Sequence, residues 1–473
     1  MPPRAPRCIT TTTRRLPAFS HPSISILRQL HTSRPQGNAT LSTTTQDQAP
    51  TPLIPKVLLP KPAPAHTTLS CLPLSVVLRT YLITALSSSP LLLSTVSKIL
   101  LRFLSSKSWL TSVERNPILN LALRETFYKQ FCAGETKSAV RSTMAVQESI
   151  GYHGVMLEYA LEVLSDSSSS NESVDVATWR RGLLDSVDAA RPGDFVGLKW
   201  SGLGSAAFQL LKAGADPSPL MHNAIHEVCA AAYAKGVRLL PASEETTTNP
   251  AIDAWSLALQ RKYNRGPAGC IVYNTYQAYL VDTPAVLARH IAIAQEEGFV
   301  FGAKLVRGAY LDHEPRHVIW ATKEETDAAY DSLAAALVRK EYAGQLQPTG
   351  ENTAWPEVQV VLATHNAASA RKVVAIRREQ TARGEKLVPL VYAQLQGMAD
   401  EVSCDLLAAG REVEGEGYVP QVFKMSAWGT LSQCLNYLLR RAAENKDAAG
   451  RTYESRDAMG AELRRRASGF VGL

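Results

Sequence analysis

The sequence predicts an α/β protein built as a distorted (β/α)8 barrel of the TIM type. Three observations carry that expectation. From about residue 150, short β-rich runs alternate with longer helical stretches, a pattern that implies parallel strand pairing. Eight such runs fall within about 300 residues, which suits a closed barrel better than an open sheet. Polar residues collect just past the ends of the runs, where barrels of this kind carry their functional groups.

The runs are 154–158 (GVMLE), 195–200 (FVGLKW), 236–240 (GVRLL) and 270–276 (CIVYNTY), then 300–306 (VFGAKLV), 358–364 (VQVVLAT), 387–394 (LVPLVYAQ) and 418–424 (YVPQVFK). Helical stretches such as 251–263, 284–296 and 324–340 lie between them. Lys199 ends the second run and Gln277 follows the fourth. Lys304, Arg307 and Tyr310 lie at the end of the fifth; Thr364, His365 and Asn366 end the sixth, and Gln394 the seventh. The insertions 165–173 (SDSSSSNES) and 344–355 (GQLQPTGENTAW) are loop-like and carry no plausible site.

The segments before the barrel differ in composition. Of the seven net positive charges on the 473-residue chain, six are the arginines of residues 1–46: Arg4, Arg7, Arg14, Arg15, Arg28 and Arg34. That stretch has no Lys, Asp or Glu and is rich in Ser and Thr, the composition of a mitochondrial transit peptide. Residues 47–473 are left at +1, so a nucleic-acid partner loses its electrostatic support. Residues 47–66 are Pro-rich and read as a linker, and 67–149 as a helical arm. Within the arm, 70–112 is apolar but broken by Ser87–Pro90 and flanked by Arg79, Lys98 and Arg102, too interrupted for a span of roughly 20 apolar residues. Two amphipathic helices are expected there, lying on a membrane surface or packed on the main domain. The barrel occupies 150–450, and 451–473 reads as a tail. Seven scattered cysteines without a CxxC imply reduced thiols rather than a bridge framework.

Residues 430–445 (TLSQCLNYLLRRAAEN) form a last helix. Tyr437, Arg440, Arg441 and Glu444 recur at i, i+3, i+4 and i+7 and share one face. A pair of guanidinium forks beside an aromatic ring suits a small carboxylate. The same spacing also describes a solvated, salt-bridged face.

Taken together, NTYQAYL (274–280), KLVRGAYLDHE (304–314), ATHNAAS (363–369), QLQGMAD (394–400) and YLLRRAAEN (437–445) resemble the proline dehydrogenase family. GLKWSGLG (197–204) and ERNPILNLALRETFYKQFCAGE (114–135) are similar to its mitochondrial members. The resemblance spans roughly residues 70–450 and turns the reading of the last helix toward a substrate site. It implies FAD in the barrel, with that helix over the top. L-proline would be oxidised to 1-pyrroline-5-carboxylate by hydride transfer to flavin N5, and the electrons would pass to a quinone at the matrix side of the inner membrane. Arg440 and Arg441 would bind the proline carboxylate, Tyr437 would pack on the ring, and Glu444 would orient the arginines. Lys199 matches the active-site lysine. Tyr310 and Leu305 would line the proline pocket. Lys304 would lie near flavin N5 and Gln277 would bond the pyrimidine edge. Val306, Arg307, Gly308, Ala309, Thr364, His365 and Asn366 would meet the cofactor, with Lys323 at its phosphates. No metal is implied.

Two departures stand out. The family's Asp-Ala-Glu-Gln motif after the third strand is here ASEE within PASEET (241–246), with Ala242 in place of the aspartate; Glu244 and Glu245 are the nearby carboxylates. Met425 replaces a tyrosine found in bacterial members, and AWG (427–429) replaces Pro-Tyr-Gly. Met425 opens the alternative of a hydroxyproline substrate. Ala242 opens that of a catalytically weakened paralogue binding proline or flavin. GLGSAA (202–207) matches a dinucleotide-binding pattern, but Asp216 comes too early to serve it. His222 and His226 lack a third metal ligand.

Overall fold

A computed structural model describes residues 68–106, 108–109, 111–161, 171–266, 269–413, 417–444 and 449–471. The expected leader (1–46), the Pro-rich linker (47–66) and most of the 165–173 insertion lie outside those residues.

Eight parallel strands form one sheet: β1 Gly154–Tyr159, β2 Phe195–Leu198, β3 Arg238–Pro241, β4 Asn274–Gln277, β5 Phe301–Val306, β6 Val358–Ala363, β7 Leu390–Leu395 and β8 Gln421–Trp428. Their order is β3-β2-β1-β8-β7-β6-β5-β4. A parallel bridge between Leu239 and Val272 joins β3 to the segment before β4, so the ring nearly closes.

Four strands (β3, β4, β7 and β8) sit later than expected, and at β8 and β4 a local reason is evident. At β8 the pairing begins after Pro420, which has no N–H to give to a ladder, and it runs on to Trp428. At β4, residues 270–273 are not strand. Asn264 accepts from the N–H groups of Ile271 (2.9 Å) and Val272 (2.8 Å) and donates to the Val272 carbonyl (2.6 Å), taking the place of ladder bonds.

Strand alternation sorts the side chains into two layers. One set packs against the helices, as Phe301, Ala303 and Leu305 do. The other fills the barrel: Met156, Phe195, Leu240, Tyr273, Val361, Val391 and Phe423. Phe195 meets Tyr273 and Phe423 edge-on with ring centres 5.5 Å apart, closing the barrel floor.

The segment before the barrel is largely helical. Leu74–Ser87 and Pro90–Ser105 are bent 101° from each other at the Ser88–Ser89 break, and no single helix among the described residues is long and apolar enough to cross a membrane. Val77, Thr80 and Ile83 of the first helix are buried, while Leu74, Leu78, Leu82 and Leu86 form an exposed row at i+4 intervals. Asn116 caps Pro117–Leu123, which runs into a π-helical turn at Arg124–Tyr128. Tyr128 Oη donates to the Gly429 carbonyl at 2.7 Å, fixing the turn that leads from β8 into the Leu431–Glu444 helix.

Residues 451–473, expected as a tail, belong to a 23-residue helix, Ala449–Val471. Met459 and Glu462 are fully buried in it. Glu462 pairs with Arg465 (2.7 Å) and Arg466 (2.6 Å), and Arg466 donates to the Leu72 carbonyl at 2.8 Å, so the helix closes over the arm.

Candidate active site

Two residues beyond the floor, each strand presents its next inward position: Glu158, Gly197, Ala242, Thr275, Lys304, Ala363, Ala393 and Met425. Most of these are small. An ideal Cβ at Gly197 would lie 3.5 Å from the Glu158 side chain, an ordinary contact, so Glu158 packs directly over this glycine. Of these eight positions, three carry long side chains: Glu158, Lys304 and Met425. β1 and β5 lie on opposite sides of the ring, so the carboxylate and the ammonium face each other across it. Both residues are buried. Burial pulls the Lys304 ammonium below its ordinary range, and the charge of Glu158 opposes that pull.

The rim lies one step higher. Lys199 follows β2, and its carbonyl accepts from Trp179 Nε1 at 2.9 Å. Its ammonium lies 5.9 Å from the centre of the Tyr437 ring. Tyr437 is buried on the Leu431–Glu444 helix, and its hydroxyl donates to Glu158 Oε2 at 3.5 Å. The last helix is thereby tied to the barrel interior at the point where Lys199 approaches. Leu123, Tyr128 and Cys132 of the arm pack with Leu431, Cys434, Leu435 and Tyr437, so the arm supports the helix from outside. Arg440 is half-buried three residues on, on the same face as Tyr437. Arg441 and Glu444 are on the helix, but their side chains lie outside the described residues.

Around β5 and β6 the polar groups interlock. Arg307 donates to Asp327 Oδ1 (2.7 Å), Thr364 Oγ1 (2.6 Å) and Ser369 Oγ (2.8 Å), and its guanidinium lies 4.3 Å from the Tyr330 ring centre. Asp327 also takes Lys323 at 2.5 Å. Burial pushes the Asp327 carboxyl up, but the bonds from Lys323 and Arg307 outweigh it and hold it below the usual range. Asn366 caps the Ala367–Ala382 helix, accepting from Ser369 N. A sixteen-residue helix N-terminus beside a fixed guanidinium suits a phosphate. His365 Nε2 accepts from Leu395 N at 3.1 Å, which sets its tautomer with the proton on Nδ1.

Gly308 is held at φ +147°, and a Cβ there would lie 2.2 Å from the Tyr279 ring. Only glycine lets the chain pass that ring between Val306 and the partly buried Ala309 and Tyr310. Gln277 is buried, and its amide donates to Ser243 Oγ (3.0 Å) and the Glu244 carbonyl (2.8 Å), which fixes the loop after β3.

Leu305 does not line the interior. It belongs to the outer core with Phe301 and Ala303, because its neighbours Lys304 and Val306 take the inward positions. Met425 does face the interior. Neither carboxylate near Ala242 is directed to its place: Glu244 accepts from Ser201 N at 3.1 Å, and Glu245 lies 3.5 Å from His313. The carboxylate that reaches Tyr437 is Glu158, which sequence reasoning missed. The signal was present, since Glu158 is an acid at the end of an apolar strand. Glu314 was missed as well; it accepts from Thr246 N (2.8 Å) and Tyr279 Oη (3.5 Å), joining two rim loops.

The lining of the barrel mouth has the chemistry that a flat, phosphate-bearing cofactor needs. Five of its eight lining positions carry Gly, Ala or Thr, a cation stands at one side, and a phosphate-competent helix end lies at the β5–β6 rim.

The fold is a (β/α)8 barrel with buried polar groups gathered at its C-terminal mouth beneath the Leu431–Glu444 helix. The family model for proline dehydrogenase matches residues 135–454, and the chain belongs to that family. It is 29% identical to a hydroxyproline dehydrogenase of Bos taurus, over 77% of this chain and 86% of the relative. It is also 29% identical to a probable mitochondrial proline dehydrogenase of Schizosaccharomyces pombe, over 74% and 81%. Among solved structures it resembles proline utilization A from Bdellovibrio bacteriovorus, with a TM-score of 0.58 and 16% identity. That match covers 76% of this chain but 37% of the longer protein, and it bears on fold alone.

Proposed function

We propose that this chain is a mitochondrial, FAD-dependent enzyme that oxidises L-proline to 1-pyrroline-5-carboxylate. The observation that carries the reading is the meeting of Lys199, Tyr437 and Glu158 beneath the terminal helix, opposite Lys304. When bound, the flavin supplies the two-electron acceptor for the hydride leaving the carbon next to the proline nitrogen. The protein's own residues do the rest. Arg440 and Arg441 hold the substrate carboxylate, Glu444 orients them, and Tyr437 packs on the ring. Tyr310 closes the pocket from the β5 side. Fixing the carboxylate fixes the reacting carbon, which removes most of the orientational cost of the step. The buried Lys304 supplies positive charge where negative charge develops, and Gln277 faces the same space. Val306, Gly308, Ala309 and His365 bound the cofactor. Arg307, Lys323, Thr364 and Asn366 form its phosphate end.

The electrons pass to a quinone at the matrix face of the inner membrane. Support comes from the exposed row Leu74, Leu78, Leu82 and Leu86 on the first arm helix, an apolar edge suited to lying at a bilayer surface. The mitochondrial location rests on the Arg-rich, acid-poor residues 1–46 and on relatives that are named mitochondrial.

A second reading, hydroxyproline as substrate, is favoured by one feature: Met425 faces the barrel interior in place of a tyrosine, and several relatives are named hydroxyproline dehydrogenase. Steady-state oxidation of L-proline and trans-4-hydroxy-L-proline, with an artificial electron acceptor, separates the two. A higher kcat/KM for L-proline supports the main reading, and the reverse order overturns it.

A further inference from the structure

Cys71 closes a short 3-10 turn, Thr68–Cys71, at the start of the arm. Cys404 lies on the Asp400–Arg411 helix beside the barrel. Their Sγ atoms are 3.5 Å apart, although 333 residues separate them in sequence. The approach is fixed by a second contact, since Thr68 Oγ1 donates to Asp405 Oδ1 at 3.0 Å. A disulfide needs the sulfurs at about 2.05 Å, so closure asks the two sulfurs to approach by roughly 1.5 Å.

The two thiols are unequal. Cys71 is half-buried and Cys404 is buried. The Cys71 thiol is lowered to about 7, first by its hydrogen bond with Cys404 and then, against burial, by the guanidinium of Arg411. Cys404 is pushed well above its ordinary value by the same bond and by burial. Cys71 therefore carries more thiolate near neutral pH than an ordinary cysteine, and the thiolate is the species that reacts. The remaining described cysteines are buried, and of these Cys132, Cys229 and Cys270 are pushed upward.

We propose that Cys71 and Cys404 form a peroxide-responsive dithiol that closes as a disulfide between the arm and the barrel. The Cys71 thiolate attacks one oxygen of hydrogen peroxide; the O–O bond breaks and hydroxide leaves, taking a proton from solvent as water. Cys71 is now a sulfenic acid. The Cys404 sulfur then attacks it, the S–O bond breaks, and the Cys404 proton leaves with the hydroxyl as a second water. Two thiols lose two electrons, and one peroxide becomes two waters. The product fastens the first arm helix to the helix that begins at Asp400. Asp400 pairs with the buried Lys424 of β8 at 2.8 Å, so the staple anchors the arm to the barrel wall.

The test uses the full chain, reduced and then exposed to stepwise hydrogen peroxide, blocked with N-ethylmaleimide under denaturing conditions and digested without reductant. A peptide linking Cys71 to Cys404 is expected, with Cys71 consumed on the order of tenfold faster than Cys132, Cys229 or Cys270. Cys404→Ser should abolish the link and leave Cys71 as a sulfenic acid captured by dimedone. The proposal is overturned if Cys71 stays reactive to the maleimide after peroxide, or if another cysteine pair links first in the unmodified protein.

Discussion

Tyr437 Oη donates to Glu158 Oε2 at 3.5 Å, joining the terminal helix to the end of β1 inside the barrel mouth. The same carboxylate is the charge that opposes the burial of Lys304 on the opposite strand. One acid thus positions the lid helix and maintains the cation below it.

Glu158→Gln tests both roles. An amide can still accept from Tyr437, but it no longer supports the Lys304 ammonium. The Lys304 pKa, already lowered by burial, falls further, so the protonated form is lost at lower pH. The alkaline limb of the kcat profile should move down in pH, and kcat near neutrality should drop on the order of tenfold, about 1.4 kcal/mol. An unmoved limb would show that Lys304 does not act as a cation.

Arg440→Met removes one fork of the proposed carboxylate clamp. The KM for L-proline should rise on the order of a hundredfold, in keeping with a lost charge-assisted pair of about 3 kcal/mol. Bound flavin should be unchanged. Unaltered proline affinity would remove Arg440 from the substrate site.

Ala242→Asp restores an acid at the inward position after β3, beside Lys199. Ala242 N donates to the Leu198 carbonyl at 2.8 Å, so the backbone there is already fixed for a new side chain. Turnover should rise several-fold by the tenfold-per-1.4 kcal/mol scale. If kcat is unchanged, Glu158 already supplies what the missing aspartate would.

Gly308→Ala places a methyl group 2.2 Å from the Tyr279 ring at a backbone angle that suits glycine. Thermal unfolding should show a loss of about 3 kcal/mol. Flavin content should fall with it, because Ala309 and Tyr310 follow directly. A variant with unchanged melting and flavin content would show that the ring moves freely.

Much of this arrangement was legible in the sequence. The eight strands appear by alternation of short apolar runs with helices, and Lys199, Lys304 and Thr364 lie where those runs end. What escaped was information held in the third dimension. Leu305 is as apolar as Val306, and only strand phase decides that Leu305 faces the helices while Lys304 and Val306 face the interior. Glu158 closes its run as Lys199 closes the next, but its significance depends on Tyr437, 279 residues away. Glu244 and Glu314 look like loop acids, and both are consumed in fixing rim loops. The Ala449–Val471 helix needed the arm beside it to be recognised, because its buried face is short, Ser455, Ala458, Met459, Gly460 and Glu462, and mostly small or polar.

The central claim is tested most directly by adding L-proline to the purified, flavin-loaded protein without oxygen and following the visible flavin band. Bleaching of the band by L-proline, with 1-pyrroline-5-carboxylate formed in equal amount, is the predicted result. A flavin spectrum unchanged by both L-proline and hydroxyproline would contradict it.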